Sequence, residues 1–178
     1  MKRIHNSWPD QIHKTLKNAG VRQVGYVPDA GHQRLIELCL ADKDMHAVVL
    51  STEEEGIGLL AGAWLGGVRG ALLLQSSGVG NCINQLGAVR ECRFPLLMLI
   101  TMRGQKGEFN PWQVPMGQAT PAVLDAMGVV VHEANAAEEI VPTVDAAARL
   151  AFGSYQAVAV LISQAVIGIK SFQDQAAR

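Results

Sequence analysis

Six short apolar runs, separated by stretches of helical periodicity, decide what this chain can fold into. Residues 21–27, 46–50, 71–75, 95–102, 129–132 and 157–163 are rich in Val, Leu and Ile, as strands buried on both faces are. Between them residues 33–40, 53–66, 81–90, 120–127 and 137–152 carry helical spacing. A further amphipathic helix covers residues 9–18, with Ser7 as its N-cap, Ile12 and Leu16 facing inward and Gly20 ending it. Strands spaced by helices make a mostly parallel sheet with right-handed crossovers. The expectation is a single doubly wound α/β domain, a six-stranded mostly parallel sheet with helices on both faces, spanning residues 1–172 and leaving 173–178 as a loose tail.

A chain of 178 residues builds such a core without disulfide or metal. Apolar residues make up 49% and charged residues 17%, little charge for a monomer surface, so a subunit with a large protein interface is expected. The net charge of −1 and the scattered Lys and Arg form no basic stripe, which argues against nucleic acid as a partner. Cys39, Cys82 and Cys92 show no CxxC pair or metal-ligand spacing and read as reduced, partly buried thiols of a cytoplasmic protein. No apolar stretch reaches the about 18 residues of a membrane span, and no signal-peptide core follows Met1-Lys2-Arg3.

Chemistry concentrates where the second strand meets its helix. Ser51-Thr52-Glu53-Glu54-Glu55-Gly56-Ile57-Gly58 crowds three carboxylates at a junction that lies, in a parallel sheet, near the ligand-binding edge. Acidic residues in a first helical turn also offset the macrodipole, and Thr52 with Glu55 spells a capping box. Glu54 then remains without a structural task. With Gly58 and Gly62 it heads a stripe without side chains, at i, i+4 and i+8, where a ligand or another backbone would come close.

Ser76-Ser77-Gly78-Val79-Gly80-Asn81 follows the third strand and opens a helix. It reads either as an anion or ring cradle or as a tight turn needing positive φ. Ile83 stands where a dinucleotide site wants a third glycine. Asp29 and His32 follow the first strand and Arg103 the fourth, on the same edge, so they are candidates for handling a substrate, Arg103 through its guanidinium fork. His5, His13, His46 and His132 read as surface or satisfied core residues, Trp64 and Trp112 as packing or interface residues. The polar segment 103–118 is long for a connection and reads as a lid or an interface piece.

Thr52-Glu53-Glu54-Glu55-Gly56, Ser77-Gly78-Val79-Gly80-Asn81, Phe94-Pro95-Leu96-Leu97-Met98-Leu99-Ile100 with Arg103-Gly104, and Val114-Pro115-Met116-Gly117 together resemble the pyrimidine-binding domain of thiamine-diphosphate enzymes. Within that superfamily the chain is most similar to sulfopyruvate decarboxylase alpha subunits and the related half of phosphonopyruvate decarboxylases, over about residues 7–168. The resemblance implies a carboxy-lyase acting on a 2-oxo acid with a second anionic group, 3-sulfopyruvate first among them. It implies that a glutamate, aligned on Glu54, activates the cofactor's aminopyrimidine at N1′, and that Gly78, Val79, Gly80 and Asn81 line the cofactor pocket. No Asp follows a Gly in this sequence, so the family's Gly-Asp-Gly site for Mg²⁺ and diphosphate is expected on a beta subunit, in a hetero-oligomer built on dimeric α/β contacts. The acid that many of these decarboxylases carry would stand one position beyond Asp29, and their paired histidines are missing. Phosphonopyruvate decarboxylation, acetolactate-synthase-like carboligation and a non-catalytic regulatory or nucleotide-binding subunit stand as alternatives.

Overall fold

The computed structural model describes residues 7–168, so His5 and the expected tail at 173–178 lie outside the described residues. Helix α1 (Trp8–Asn18) leads to β1 (Val21–Tyr26), α2 (Gln33–Ala41), β2 (His46–Val49), α3 (Glu53–Leu65), β3 (Arg69–Gln75), α4 (Ser76–Cys92) and β4 (Leu96–Thr101). A 3-10 turn (Pro111–Gln113), α5 (Val114–Ala126), β5 (Val130–Ala134), α6 (Ala137–Ser154), β6 (Ala157–Ile162) and a short α7 (Gln164–Ile167) follow. The six strands stand in the order β2-β1-β3-β4-β6-β5, and every neighbouring pair is parallel. This is the doubly wound α/β sheet, covered by helices on both faces, that the alternation predicts.

Strand β4 shows why the apolar runs do not alternate. All six of its residues are buried, and because successive side chains leave opposite faces they feed two cores. Leu97 and Leu99 join Ile12, Leu16, Leu35 and Val144 under α1, α2 and α6. Leu96, Met98 and Ile100 join Ile57, Leu86 and Leu124 under α3, α4 and α5. Truncating one such leucine to alanine costs about 2–5 kcal/mol, a large part of a domain's net stability.

Of the boundaries that differ from the sequence reading, two bear on the site. Helix α4 starts directly at Ser76, so Ser77-Gly78-Val79-Gly80-Asn81 is helical and none of its residues has positive φ. Helix α5 starts at Val114 rather than near Thr120, because Pro115 in the first turn removes an N–H that would have no intrahelical partner anyway. The second part of the polar segment 103–118 is therefore helix.

The order of strands fixes where a ligand fits. From β1 the chain runs out to β2, then returns through α3 to β3 on the other side of β1. The carboxyl ends of β1 and β3 thus flank the crevice in which doubly wound sheets bind ligands.

Candidate active site

Three glutamates open α3, and helical geometry gives each a different environment. Glu53 shares the buried face with Gly56, Ile57 and Leu60, and only 9% of its surface is exposed. Glu54 is exposed, as are Gly58, Gly62 and Leu65 beyond it on its own stripe. The Glu55 carboxylate accepts a 2.8 Å hydrogen bond from the Ser51 backbone N–H. Thr52 holds the N-cap position without a side-chain capping bond, so the expected capping box is replaced by this link one residue earlier. Glu54, the acid on which the resemblance places the cofactor contact, thus stands exposed at the start of α3, and Glu53 beside it is buried against α4.

The first turns of α4 are shaped around that carboxylate. A Cβ on Gly78 would lie 2.3 Å from both Cδ and Oε1 of Glu53, so any larger residue there displaces the Glu53 side chain. Asn81, one turn on and exposed, donates a 2.8 Å hydrogen bond from Nδ2 to Glu53 Oε2. Val79 is fully buried in the core beneath α4, leaving its backbone alone for the site. A Cβ on Gly80 would stand 3.3 Å from Met116 Sδ on α5. The glycines therefore serve close approach within a helix rather than a strained turn.

Next to this helix start lies a polar layer built from the ends of three strands. Asp29, after β1, accepts from Thr101 Oγ1 at 2.6 Å and from Gln75 Nε2 at 2.9 Å. Gln75 Oε1 in turn accepts from Ser77 Oγ at 3.0 Å, joining Asp29 to the first turn of α4. Burial opposes the charge of Asp29, but the Thr101 hydroxyl, His32, the Gly31 N–H and the Gln75 amide outweigh it and hold the carboxyl below the usual carboxylate range. His32 is buried, with Nε2 donating to the Leu99 carbonyl at 2.9 Å and Nδ1 without a hydrogen-bond partner. Burial pushes this imidazole below the usual histidine range against the pull of Asp29, so it is neutral at pH 7. Asp29 also lines an open pocket of about 330 Å³ with Tyr26, Pro28, Gln33 and Glu37.

Arg103 has a different occupation from the one expected. Its Nε and Nη2 each donate at 2.6 Å to the two oxygens of Glu108, its backbone N–H donates to Ser76 Oγ at 3.0 Å, and Phe109 lies under the guanidinium at 5.9 Å. Glu108 further accepts from the Gly104 and Asn110 N–H groups and from Gln164 Nε2. The Arg103 guanidinium, with these bonds, draws the Glu108 carboxyl down to about 2. Gln105 Oε1 accepts from Ser163 Oγ and the Gln164 N–H, while the Gln105 N–H donates to Gln164 Oε1. The loop after β4 is tied to α7 by this clasp, and the fork of Arg103 is filled from within the chain.

Among the described residues no three His, Cys, Asp or Glu side chains stand together as a metal ion would need, and no helix is long and apolar enough to cross a membrane. Cys39 and Cys82 are buried thiols pushed up to about 12 by burial, whereas Cys92 is exposed. Beside α3 runs an apolar groove of about 320 Å³ lined by Ile57, Ala61, Trp64, Leu65, Ala88 and Phe94, among others. Leu65 is 88% exposed on its rim.

Sequence reasoning named Glu53 only as a neighbour and missed Gln75, Thr101, Glu108 and Gln164. Glu53 had a readable signal: Ile57 and Leu60 follow it at i+4 and i+7, which puts it on the apolar face. The others are polar residues at strand ends or in loops, whose partners are distant in sequence.

No family model matches the chain. It is 34% identical over 154 residues to the sulfopyruvate decarboxylase subunit alpha of Methanococcus maripaludis, covering 86% of this chain and 92% of that one. The corresponding subunit of Methanothermobacter thermautotrophicus is 31% identical, over 86% of this chain and 93% of its own. A phosphonopyruvate decarboxylase of Streptomyces viridochromogenes is 35% identical over 112 residues, 62% of this chain and 28% of the relative. Among solved structures, a 2-oxoglutarate:ferredoxin oxidoreductase from Magnetococcus marinus shares the fold with a TM-score of 0.70 at 13% identity, over 92% of this chain and 29% of that one.

Proposed function

The chain belongs to the family of sulfopyruvate decarboxylase alpha subunits, and on that premise we propose that it is the pyrimidine-binding subunit of a thiamine-diphosphate-dependent decarboxylase whose substrate is 3-sulfopyruvate. The observation that carries this reading is the cluster of carboxylates that opens α3 at the ligand-binding edge, with Glu54 exposed and Glu53 buried against Gly78 and bonded through Oε2 to Asn81. An exposed carboxylate at this edge fits an aminopyrimidine, whose ring nitrogen can share a proton with it.

Thiamine diphosphate, when bound, supplies the nucleophilic carbon and the electron sink for loss of CO2 from a 2-oxo acid. This chain's part is to hold one end of that group. Glu54, as the resemblance implies, is the residue that would meet the pyrimidine nitrogen, and Glu53, buried beside it and bonded to Asn81, fixes the start of α3 against α4. The start of α4, from Gly78 to Asn81, lines one side of the ring's pocket in this proposal, Val79 through its backbone only. The Asp29, Gln75 and Ser77 bridge fixes the start of α4 from below, and the buried neutral His32 ties the same layer to β4. Arg103, held by Glu108, serves to order the loop after β4 rather than to meet the substrate anion.

A beta subunit carrying the Mg²⁺ and diphosphate site completes the enzyme in this proposal. The names of the alpha-subunit relatives and the lack of any Gly-Asp step in the sequence support it, as does the open apolar groove along α3, the helix that Glu53 begins. Phosphonopyruvate is the second substrate reading, favoured by the 35% identity to the Streptomyces enzyme. The test is co-expression with a candidate beta subunit and assay of CO2 release from both acids. Preference for sulfopyruvate supports the first reading and preference for phosphonopyruvate the second. Absence of turnover and of cofactor binding in every mixture would remove both.

A further inference from the structure

A 2-oxo acid with a second anionic group, the substrate class proposed above, approaches an edge lined with acid. Asp29 is held below the usual carboxylate range, Glu54 and Glu55 are exposed at the start of α3, and Glu53 lies buried beside them. Such a site admits a dianion when a cation stands close by. We propose that Lys106 is that cation, a specificity-determining residue that meets the sulfonate or phosphonate of the substrate. The inference rests on the decarboxylase reading and deepens it by naming the contact for the second anionic group.

The described lysines and arginines leave no other candidate at this edge. Arg103 has its fork filled by Glu108, and the nearby His32 is buried and neutral. Lys14, Lys17 and Arg34 belong to α1 and α2, which cover the face of the sheet opposite α3 and α4; Lys17 is paired with Asp42 and Arg34 with Asp10. Arg22 and Arg69 stand at the beginnings of β1 and β3, Lys43 in the connection that leads into β2, and Arg90 and Arg93 at the end of α4, all at the amino edge of the sheet. Arg149, on α6 over the other face, is bonded to Asp145. Lys106 remains, exposed and without a partner among the described residues.

The loop after β4 sets where that ammonium can reach. Lys106 is the second residue of a tight turn closed by a 3.0 Å bond from the Glu108 N–H to the Gln105 carbonyl, and Gly107 after it takes a φ of 92°, which glycine accepts freely. Both ends of the turn are pinned, Gln105 to Ser163 and Gln164 and Glu108 to Arg103. The same loop is fastened to the helix start of the site, because the Arg103 backbone N–H donates to Ser76 Oγ at 3.0 Å. Strand β4 adjoins β3, so the loop begins one strand spacing, about 5 Å, from the crevice between β1 and β3. A lysine carries its charge on a flexible four-carbon stem; on a pinned turn it combines a fixed anchor with an adjustable reach.

The enzyme assembled with its beta subunit provides the test. Lys106→Gln should raise KM for 3-sulfopyruvate about 10-fold, the loss of one charge-assisted bond, with kcat changed by less than about threefold. Lys106→Arg keeps the charge and should bring KM back to within about threefold of the unsubstituted enzyme. Calorimetric titration of 3-sulfopropanoate, which has both anionic groups and no keto group to react, should show binding weakened about 10-fold by Lys106→Gln. Added salt should weaken that binding more in the unsubstituted enzyme than in Lys106→Gln. The Tm of Lys106→Gln should match that of the unsubstituted chain, because the second position of such a turn accepts most residues.

A KM and a 3-sulfopropanoate affinity unmoved by Lys106→Gln would overturn the proposal and return the anion to Arg103 or to the beta subunit. So would a fall in kcat without a rise in KM, which would make Lys106 part of the loop's order alone. Absence of turnover from either acid in the unsubstituted assembly would remove the decarboxylase reading itself, and the role of Lys106 with it.

Discussion

A methyl group on Gly78 would stand 2.3 Å from the carboxyl of Glu53, so the first turn of the helix after β3 packs directly on the side chain that the helix after β2 sends toward it. Alanine in a helix interior is normally better than glycine by about 1 kcal/mol. At position 78 the order reverses: Gly78→Ala should destabilise the chain and displace Glu53, lowering turnover and cofactor affinity together. Thermal unfolding and calorimetric titration of thiamine diphosphate into the assembled enzyme measure both. A more stable, fully active Gly78→Ala protein would mean that the contact is looser than described.

Glu53 and its neighbour separate two readings of the same sequence. Glu54→Gln, on the exposed face, should fold normally and lose at least about 10²-fold in kcat, as loss of a positioned acid–base group does. Glu53→Gln should act first on stability, lowering Tm by disturbing the buried bond to Asn81. Steady-state kinetics and thermal unfolding of the pair decide the matter, and the opposite ranking would move the role to Glu53.

How far the sequence carries is visible in these two glutamates. Six apolar runs and the helices between them are enough for the sheet, because burial of every strand on both faces leaves few other arrangements. The neighbourhood of the acid was legible too, since strand ends and glycines mark the ligand edge of a parallel sheet. The two stripes of α3 were legible as well: Glu54, Gly58 and Gly62 stay open, whereas Glu53, Ile57 and Leu60 are buried. Glycines at open positions mark what a helix leaves free, whereas apolar residues mark what it buries. The Arg103 and Glu108 clasp was beyond reach for another reason: five residues apart in a loop, they obey no periodicity that sequence spacing could reveal.

That clasp also sets the acid limit of the fold. Glu108 is drawn down to about 2 by Arg103 and its other donors, so its contribution is complete above the ordinary carboxylate range and fades as pH falls from there toward about 2. His32 has a value lowered by burial; the unfolded chain takes up its proton first, so its part of the stability is full above the ordinary histidine range and declines below it. Tm of the unsubstituted chain should therefore fall in two stages on acidification. Glu108→Gln should shrink the lower stage to the part that Asp29 and the other lowered carboxylates supply, and Arg103→Ala should cost about 3 kcal/mol or more at pH 7 by taking the cation from a buried carboxylate. A single acid transition unchanged by Glu108→Gln would count against the clasp.

The exposed side of α3 offers the last test, because its residues do nothing for the isolated fold. Gly58 and Gly62 have open space where a Cβ would be, and Leu65 is 88% exposed at the end of the same stripe. In the chain alone, Gly58→Ala and Gly62→Ala should each stabilise the helix by up to about 1 kcal/mol, and Leu65→Asp should change stability little. If the groove along α3 receives the beta subunit, the same three substitutions should weaken association, the glycine variants by filling space that a partner's side chains need and Leu65→Asp by burying a charge. Calorimetric mixing of the two chains against thermal unfolding of this one separates the effects. Tighter or unchanged association with all three variants would place the beta subunit on another face of the domain.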